Sequence, residues 1–338
     1  MIAPDSPRWI SEAEVVEMLS LREAIDALAE GLKREASGSA QNMVKTHAAW
    51  PVEDKEATLH AIGAVFTPKG YEHGFVGTKT WAHTPGGATP LFALFDASTG
   101  KLLAMIEAFA FGQMRTAGIS GLATRYMASE DANELAIIGT GKQALPQVAA
   151  VHCVRPLKRV RVFSRTPEKR EAFAAKLREN FDFEVVVAES VAEAAKNAPI
   201  VTLVTRATSA FIGSAEVAKG AHINAVGAIT PEREEFHQDI FPRAARMAAD
   251  SVDSVRRLSA EFRTRMGEDD AHWAMVEPLS KLVAEDARRP GEADLTLFKA
   301  MGMGISDLSL ASEIYARALG KNLGHKFPHP EKVPIRFS

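Results

Sequence analysis

A short run of glycine and small polar residues follows an apolar segment near the middle of the chain. The segment ELAII (134–138) leads into GTGKQA (139–144), which matches the pattern G-x-G-x-x-A. In this pattern the glycines permit a tight turn and a close backbone approach to a pyrophosphate, whose charge is met by a helix N-terminus. An ordinary glycine-containing turn is the alternative. The context of strand and helix favours a dinucleotide site, with candidate contacts at Gly139, Thr140, Gly141, Gln143 and Ala144.

The end of the next predicted strand indicates which dinucleotide this is. Ser164 lies 25 residues beyond Gly139, where an Asp or Glu would bind the ribose 2′-hydroxyl of NAD. This chain instead has Ser164, Arg165 and Thr166, whose hydroxyls and guanidinium suit a 2′-phosphate. A plain helix cap at Thr166 before Pro167 is compatible with that contact. The sequence therefore predicts NADPH or NADP as the cofactor, in preference to NAD.

These candidates require a sheet whose strand ends meet in one crevice. From residue 133 onward, predicted strands alternate with predicted helices (ELAIIG, RVRVFS, FEVVVA, IVTLVT and HINAVG), which is typical of a doubly wound parallel sheet. Further candidate cofactor contacts lie in or beyond such strands, at Thr205, Gly227, Met301 and Gly302.

The first third of the chain has a different rhythm. Ser20 and Glu23 predict a capping box that opens a helix, and Gly38 lies just beyond its end. Short β-type runs between residues 58 and 107 predict an antiparallel sheet, and a helix rich in small residues follows. The fold class is therefore α/β: a Rossmann domain over residues 119–306, and an α+β domain with an antiparallel sheet over 1–118 and 307–338.

Composition excludes several classes of protein. The chain has 338 residues, 46% of them hydrophobic, and a formal net charge of −3, so it can bury a core and offers no nucleic-acid-binding surface. No apolar run is long enough to span a membrane. Cys153 is the sole cysteine, which excludes a disulfide and a thiolate metal cluster, and we expect it to be a buried structural thiol. A reducing, cytoplasmic location is expected, with no metal site.

Four separated segments carry a resemblance to a known family. They are GTK (77–79), MRTAGISGLATRYMA (114–128), GTGKQA (139–144) and DLTLFKAMGMGISD (294–307). Together they resemble the ornithine cyclodeaminase/mu-crystallin family, which includes alanine dehydrogenases and reductases of cyclic imino acids. The resemblance implies that the α+β domain binds substrate and, through its antiparallel sheet, forms a homodimer.

The resemblance also implies that Lys79 and Arg115 face a small amino or imino acid. An Arg can bind a carboxylate through two hydrogen bonds, and a Lys near an imine can donate a proton as hydride reaches carbon. A surface ion pair for Arg115 and a solvated strand face for Lys79 are the alternatives. A further carboxylate-binding Arg of the family precedes its first antiparallel strand; here AQNMVKTHAAW offers Lys45, with an exposed lysine as the alternative.

One position departs from the cyclodeaminase pattern. An Asp shortly after the strand HINAVG is typical of cyclodeaminases, whereas this chain has Ile229, which can serve neither as acid nor as base. Glu232, Glu234 and Glu235 are candidates to replace it, although charged residues after a Pro turn usually face solvent. His47, His60 and His83 lack metal-ligand spacing and are expected to be structural.

The predicted function is NADPH-dependent reduction of the C=N bond of a small, cyclic 2-imino acid to an L-amino acid. The missing Asp argues against lyase chemistry, and the cofactor pocket points to reductive metabolism. Three alternatives remain: an ornithine cyclodeaminase-like lyase, an alanine-type L-amino-acid dehydrogenase, and a non-enzymatic NADP-dependent binding protein.

Overall fold

The computed structural model describes residues 6–337, so the first five residues and Ser338 of the predicted α+β domain lie outside the described range. The strands are β1 (Arg8–Ile10), β2 (Ala40–Asn42), β3 (Thr46–Val52), β4 (Lys55–Phe66), β5 (Phe75–Thr84), β6 (Gly87–Ala88), β7 (Leu91–Asp96), β8 (Leu102–Glu107), β9 (Glu134–Ile138), β10 (Arg159–Phe163), β11 (Glu184–Val187), β12 (Ile200–Leu203), β13 (Thr208–Ile212), β14 (Ala221–Ala225), β15 (Glu234–Phe236), β16 (Ala244–Ala249), β17 (Val276–Pro278), β18 (Leu295–Lys299) and β19 (His325–Lys326). The helices are α1 (Glu12–Met18), α2 (Leu21–Ala36), α3 (Phe109–Met127), α4 (Ala144–Val154), α5 (Pro167–Asn180), α6 (Val191–Ala195), α7 (Val252–Leu258), α8 (Ala260–Met266), α9 (Asp270–Trp273), α10 (Leu279–Ala284) and α11 (Gly304–Lys321).

Nine strands form a mixed sheet in the order β19-β1-β8-β7-β5-β4-β2, with β3 paired to β4 and β6 to β5. The strands predicted between residues 58 and 107 are β4, β5, β7 and β8, and they pair antiparallel as expected. The short strand β1 pairs parallel with β8, so the sheet is not wholly antiparallel.

Eight strands form a separate sheet in the order β11-β10-β9-β12-β14-β18-β16-β17, and all of its pairs are parallel. The chain runs outward from β9 to β10 and β11, then returns to β12 on the other side of β9. This reversal creates a crevice at the carboxyl ends of β9 and β12, where ligands of such folds bind. The predicted α/β class with a doubly wound sheet is confirmed.

Helix starts follow local side-chain chemistry. Ser20 and Glu23 form the predicted capping box of α2, whose buried face includes Ile25, Leu28 and Leu32. Ser11 and Glu14 form a second capping box that opens the short helix α1, which the periodicity analysis did not predict.

Helix α11 crosses onto the mixed sheet at a point where only glycine fits. A Cβ on Gly304 would lie 1.8 Å from the carbonyl oxygen of Gly63 in β4. The Asn42 side chain, from β2, accepts a hydrogen bond from the Ile305 N–H at 2.9 Å and so caps the start of α11. Strand and helix are therefore held in close register, which brings residues of the first turn of α11 against β5.

The segment AQNMVKTHAAW departs from expectation. It does not precede the first antiparallel strand, because it contains β2 and β3 itself, and Lys45 lies in the bend between them. Strands β13 and β15 form a further two-stranded parallel sheet that was not predicted.

Three further expectations concern Cys153, membrane-spanning helices and the domain limits. Cys153 is half-buried, not fully buried, and packs against the core beside α3; burial raises the pKa of its thiol. Within residues 6–337, no helix combines the length and apolar character needed to cross a membrane. The proposed domain limits at 118/119 and 306/307 remain a prediction.

Candidate active site

The glycine turn after β9 is built for close approach. Gly139 has a φ of +114° and donates its N–H to the carbonyl oxygen of Phe163 at 2.8 Å. A Cβ at Gly139 would lie 2.6 Å from the carbonyl oxygen of Val204, at the end of β12. Helix α4 starts at Ala144, which is buried, and the residue before it, Gln143, makes no side-chain cap. The turn and uncapped helix start fit a dinucleotide pyrophosphate.

The end of β10 lies beside this turn. The Thr140 hydroxyl donates a hydrogen bond to the Ser164 hydroxyl at 3.2 Å, and the Ser164 hydroxyl donates to the carbonyl oxygen of Thr166 at 3.3 Å. Arg165 is exposed, and Thr166 occupies the N-cap position of α5 without a capping bond from its side chain. Two hydroxyl side chains and one guanidinium therefore lie directly after β10, at the position predicted to bind the ribose.

A cavity of about 560 Å³ extends from the glycine turn to the mixed sheet. Its lining includes several of the predicted residues, namely Lys45, Arg115, Gly141, Gln143, Thr205, Gly227, Met301 and Gly302. The other predicted cofactor contacts, Gly139, Thr140, Ala144, Ser164, Arg165 and Thr166, lie outside this lining. Lys79, the third predicted substrate residue, also lies outside the lining, next to Trp81, which is part of it. The cavity thus joins part of the dinucleotide crevice to Lys45 and Arg115.

A cluster of buried charges, called the cationic wall below, lies beside this cavity and reaches it through Arg115. The Lys79 ammonium, on β5, donates a hydrogen bond to the Asp307 carboxylate in the first turn of α11. The Arg115 Nε, on α3, lies 3.3 Å from the same carboxylate oxygen. The side chains of Lys79, Arg115 and Asp307 are 5%, 16% and 0% exposed. Lys79 is therefore not on a solvated strand face, and Arg115 is not part of a surface ion pair.

The positive charges at this wall exceed the negative ones. Burial and the Arg115 guanidinium lower the pKa of Lys79 to about 8, although Asp307 opposes them. The pKa of Lys45 is also lowered, by burial and by Arg115. Its ammonium lies 5.9 Å from the centre of the Trp81 ring, so it too is part of the wall and is not a plain exposed lysine.

Asp250 is a second buried carboxylate at the cavity, and sequence analysis missed it together with Asp307. It follows β16 and accepts hydrogen bonds from the N–H groups of Met301 at 2.9 Å and Gly302 at 2.7 Å. The cluster formed by Lys45, Lys79, Arg115, Asp250 and Asp307 thus has three cationic and two acidic side chains, an excess that one carboxylate of a ligand would offset. Each carboxylate stood at a recognisable place in the sequence, one ending the strand-like MAAD and the other ending GISD.

The position of the missing Asp also lines the cavity. Ile229 contributes an apolar side chain there, close to Val226. Of the three candidate replacements, Glu232 accepts a hydrogen bond from Thr230 at 2.6 Å on the surface. Glu234 is half-buried at the start of β15. Glu235 is fully buried, so the expectation that residues after the Pro turn face solvent is wrong for this one.

The Glu235 carboxylate is engaged elsewhere. It accepts hydrogen bonds from the N–H and hydroxyl of Thr205 and from the N–H groups of Gly227 and Ala228. Glu235 therefore does not line the cavity itself but stabilises Thr205 and Gly227, which do.

The nearby histidine His60 stacks on Trp81 with ring centroids 4.8 Å apart and forms a hydrogen bond with the Thr58 hydroxyl at 2.8 Å. Burial and the charge of Lys45 lower its pKa to about 4, so it is neutral at physiological pH. Its ring supports Trp81 at the cavity.

Known proteins resemble this chain in sequence over most of its length. The chain is 29% identical over 273 residues to the Delta(1)-pyrroline-2-carboxylate reductase of Bacillus cereus, covering 79% of this chain and 81% of that protein. It is 31% identical over 223 residues to the ketimine reductase mu-crystallin of Rattus norvegicus, covering 66% of this chain and 67% of that protein.

Among solved structures, the Delta(1)-pyrroline-2-carboxylate reductase of Thermococcus litoralis, in complex with NADH and L-proline, superposes with a TM-score of 0.84. It is 25% identical and is matched over 95% of this chain and 100% of its own. The family model of ornithine cyclodeaminase and mu-crystallin matches residues 8–322. The chain belongs to the ornithine cyclodeaminase/mu-crystallin family.

Proposed function

We propose that the protein is a nicotinamide-dependent oxidoreductase that reduces the C=N bond of a small, cyclic 2-imino acid to an L-amino acid, with NADPH as hydride donor. The observation that carries this proposal is the excess of positive charge beside a cavity that is also lined by Gly141 and Gln143 of the dinucleotide turn. The names of the bacterial and mammalian relatives support the same reaction class.

The substrate carboxylate binds to Arg115 and Lys45. Arg115 lines the cavity while its Nε lies near Asp307, so the guanidinium is oriented before substrate arrives. A guanidinium can make two parallel hydrogen bonds to a carboxylate, and Lys45 adds a second positive charge. These contacts fix the imine carbon relative to the cofactor.

Lys79 is the proposed proton donor. When bound, the cofactor supplies hydride to the imine carbon. The Lys79 ammonium donates its proton to the imine nitrogen and is left as a neutral amine. The resulting iminium carbon is a better hydride acceptor, and addition of hydride gives the amine product. A pKa of about 8 leaves Lys79 largely protonated at neutral pH, yet able to give up its proton.

The walls of the cavity favour a ring over a charged side chain. Ile62, Trp81, Val226 and Ile229 present apolar surface. A substrate with a second amine would place that charge beside Ile229, and none of Glu232, Glu234 and Glu235 lines the cavity to pair with it. This arrangement supports the imine reductase over an ornithine cyclodeaminase-like lyase.

The cofactor preference rests on the rim of the crevice. Ser164, Arg165 and Thr166 offer donors for a 2′-phosphate, and no acid of this segment is placed to bind a 2′-hydroxyl. The sole cysteine supports a reducing, cytoplasmic location. The exposed apolar side chains Val44, Trp50 and Leu59, on and beside β3 and β4, support assembly with a second copy.

A substrate panel tests the proposal. Purified protein is mixed with NADPH and with Δ1-pyrroline-2-carboxylate or Δ1-piperideine-2-carboxylate, and loss of NADPH absorbance is followed. We expect turnover with at least one of the two, and little with 1-pyrroline, which lacks the carboxylate. Consumption of ornithine without net change in cofactor would replace the proposal by the lyase. Turnover of pyruvate and ammonia alone would replace it by the open-chain dehydrogenase.

The variant Arg115→Ala tests the carboxylate contact. Loss of a buried, charge-assisted contact costs about 2 kcal/mol or more, so KM should rise by about 30-fold or more. The rate constant kcat should also fall, because a misplaced imine carbon spoils the hydride geometry. An unchanged KM for the imino acid in a folded variant would remove Arg115 from the substrate site.

A further inference from the structure

Two strand-end loops of the parallel sheet meet on a single carboxylate. Thr205 follows β12, Gly227 follows β14, and both line the cavity. One oxygen of Glu235 accepts the Thr205 N–H at 2.7 Å and the Thr205 hydroxyl at 2.8 Å. The other oxygen accepts the N–H groups of Gly227 at 2.8 Å and Ala228 at 3.1 Å. Strands β12 and β14 are neighbours in the sheet, and Glu235 links the two loops that follow them beyond the last bond of the ladder.

The Glu235 carboxylate is buried, and both of its oxygens are fully used as hydrogen-bond acceptors. Glu235 is 0% exposed, and each of its oxygens accepts two hydrogen bonds. A Cβ at Gly227 would lie 2.1 Å from the Thr205 carbonyl oxygen and 2.5 Å from the Glu235 carboxylate. Glu235 therefore works as a carboxylate with no lone pair left for substrate.

A buried ion pair between Glu261 and Lys299 holds the backbone of Glu235. The Glu235 N–H donates to the Glu261 carboxylate at 3.1 Å, and both Glu261 oxygens lie 3.4 Å from the Lys299 ammonium. All three residues are 0% exposed, and Lys299 belongs to β18. Burial raises the pKa of Glu235, while Lys299 and the Thr205 and Gly227 donors oppose that rise. The loops are thereby anchored to the interior of the sheet.

We propose that Glu235 is a positioning residue for the nicotinamide half of the cofactor site, which it shapes through Thr205 and Gly227. This inference rests on the proposed use of a nicotinamide cofactor. The two loops share a cavity with Arg115 and Lys45, the residues proposed to bind substrate, so the proposed function would place hydride transfer in the cavity that these loops line. The predicted 2′-phosphate contacts, by contrast, lie outside that cavity. Loss of Glu235 should therefore weaken binding of the nicotinamide half of the cofactor and leave binding of the 2′-phosphate half unchanged.

The variant Glu235→Gln tests this role by ligand binding. Its amide NH₂ would face two donors, so at least one loop loses its acceptor. The dissociation constants of NADPH and of adenosine 2′,5′-bisphosphate, which lacks the nicotinamide half, are measured by calorimetry on the full-length protein. We expect the constant for NADPH to rise by about tenfold or more, and that for the bisphosphate to change by less than about twofold.

Asp239→Asn is the matched control. Asp239 also holds a loop, by accepting hydrogen bonds from the Ser214 N–H at 3.1 Å and hydroxyl at 2.8 Å, but Ser214 does not line the cavity. We expect both dissociation constants to stay at the wild-type values in this variant. Equal weakening of both ligands in Glu235→Gln would indicate general structural damage and overturn the proposal, as would unchanged NADPH affinity.

If Glu235→Gln does not fold, Glu235→Asp keeps the charge but is one methylene too short to hold both loops, and it is judged by the same two constants. Failure of this inference is distinguishable from failure of the proposed function. Wild-type protein that binds NADPH but reduces no imino acid disproves the reaction alone. Wild-type affinity for NADPH in the Glu235 variants disproves the positioning role alone.

Discussion

The dinucleotide turn and the cationic wall both contribute residues to one cavity and are built in opposite ways. The turn comes from one contiguous segment, and its important features belong to the backbone: the positive φ of Gly139 and the uncapped start of α4. The wall comes from four parts of the chain, the β2–β3 connection, β5, α3 and α11, and its important features belong to charged side chains. Lys79 and Asp307 touch across 228 positions of sequence.

The difference determines how each region responds to substitution. A backbone site keeps its donors when a neighbouring side chain changes. A buried charge cluster depends on every member, because removal of one leaves the others without compensation in a medium of low dielectric constant. We therefore expect large, strongly coupled effects at the wall and small, additive effects at the rim of the cofactor crevice.

Lys79→Met should give the largest effect. It keeps the packing volume of the side chain but removes the proton donor, so kcat should fall by about 10²–10⁴. NADPH affinity, measured by fluorescence titration, should remain close to that of the wild type, because the turn does not depend on the wall. Near-normal turnover by this variant would remove Lys79 from the mechanism and weaken the distinction between the two regions.

The pH dependence of the wild type gives an independent reading of the same residue. The pKa of Lys79 is lowered to about 8, so the protonated form needed as donor is lost as pH rises through that value. The rate should therefore fall above pH ~8 and stay high below it, until another group titrates. The residual rate of Lys79→Met should lack this alkaline limb, and an identical limb in the variant would assign it to a different group.

Asp307→Ala should show the next largest effect, this time on stability. It leaves the Lys79 ammonium and the Arg115 guanidinium buried without their shared carboxylate. Removing one partner of a buried ion pair typically costs 3–5 kcal/mol, so the free energy of unfolding in urea should fall by about that amount. Catalysis should fall too, since both cations lose their orientation.

An exposed ion pair provides the control for Asp307. Arg256 and Asp270 lie 2.7 Å apart, with side chains 44% and 84% exposed. Asp270→Asn should change the free energy of unfolding by less than about 1 kcal/mol, because water and side-chain entropy offset most of the attraction. Similar losses for both Asp variants would show that burial is not what makes the wall sensitive.

The same contrast explains what the sequence could predict. The glycine turn, the parallel sheet and the capping box of α2 follow from local patterns, in which the physical cause lies within a few residues. Lys79 and Arg115 were identified from segments that resemble a family. Their burial and their shared carboxylate were not predictable, because Asp307 approaches them only after α11 packs on β4 at Gly304.

Glu235 and Lys45 show the same limit at smaller scale. A Glu after a Pro turn favours solvent unless donors from two other strands converge on it, and nothing near residue 235 encodes that convergence. Lys45 lies in a bend between two strands that the sequence pattern did not resolve. Side chains whose role depends on contacts across sheets are therefore the ones that local reasoning misses.

Arg165→Ala should give the smallest of these effects, confined to cofactor choice. Wild-type protein should bind NADPH more tightly than NADH by about 1.5–3 kcal/mol, the range for a charge-assisted contact, and the variant should narrow that gap. Because Arg165 is exposed, solvent screening puts the expected change near the lower end, about tenfold in affinity. The difference in affinity between NADPH and NADH in the wild type should also shrink as salt concentration rises, whereas the smaller difference in the variant should respond less.

Arg165→Lys serves as control, since it keeps the charge but loses the planar fork and should retain part of the preference for NADPH. Turnover with saturating NADPH should be unaffected in both variants, since the wall is intact. Equal affinity of the wild type for both cofactors would disprove the NADPH preference, and a large loss of turnover in Arg165→Ala would contradict the expected independence of the rim from the wall.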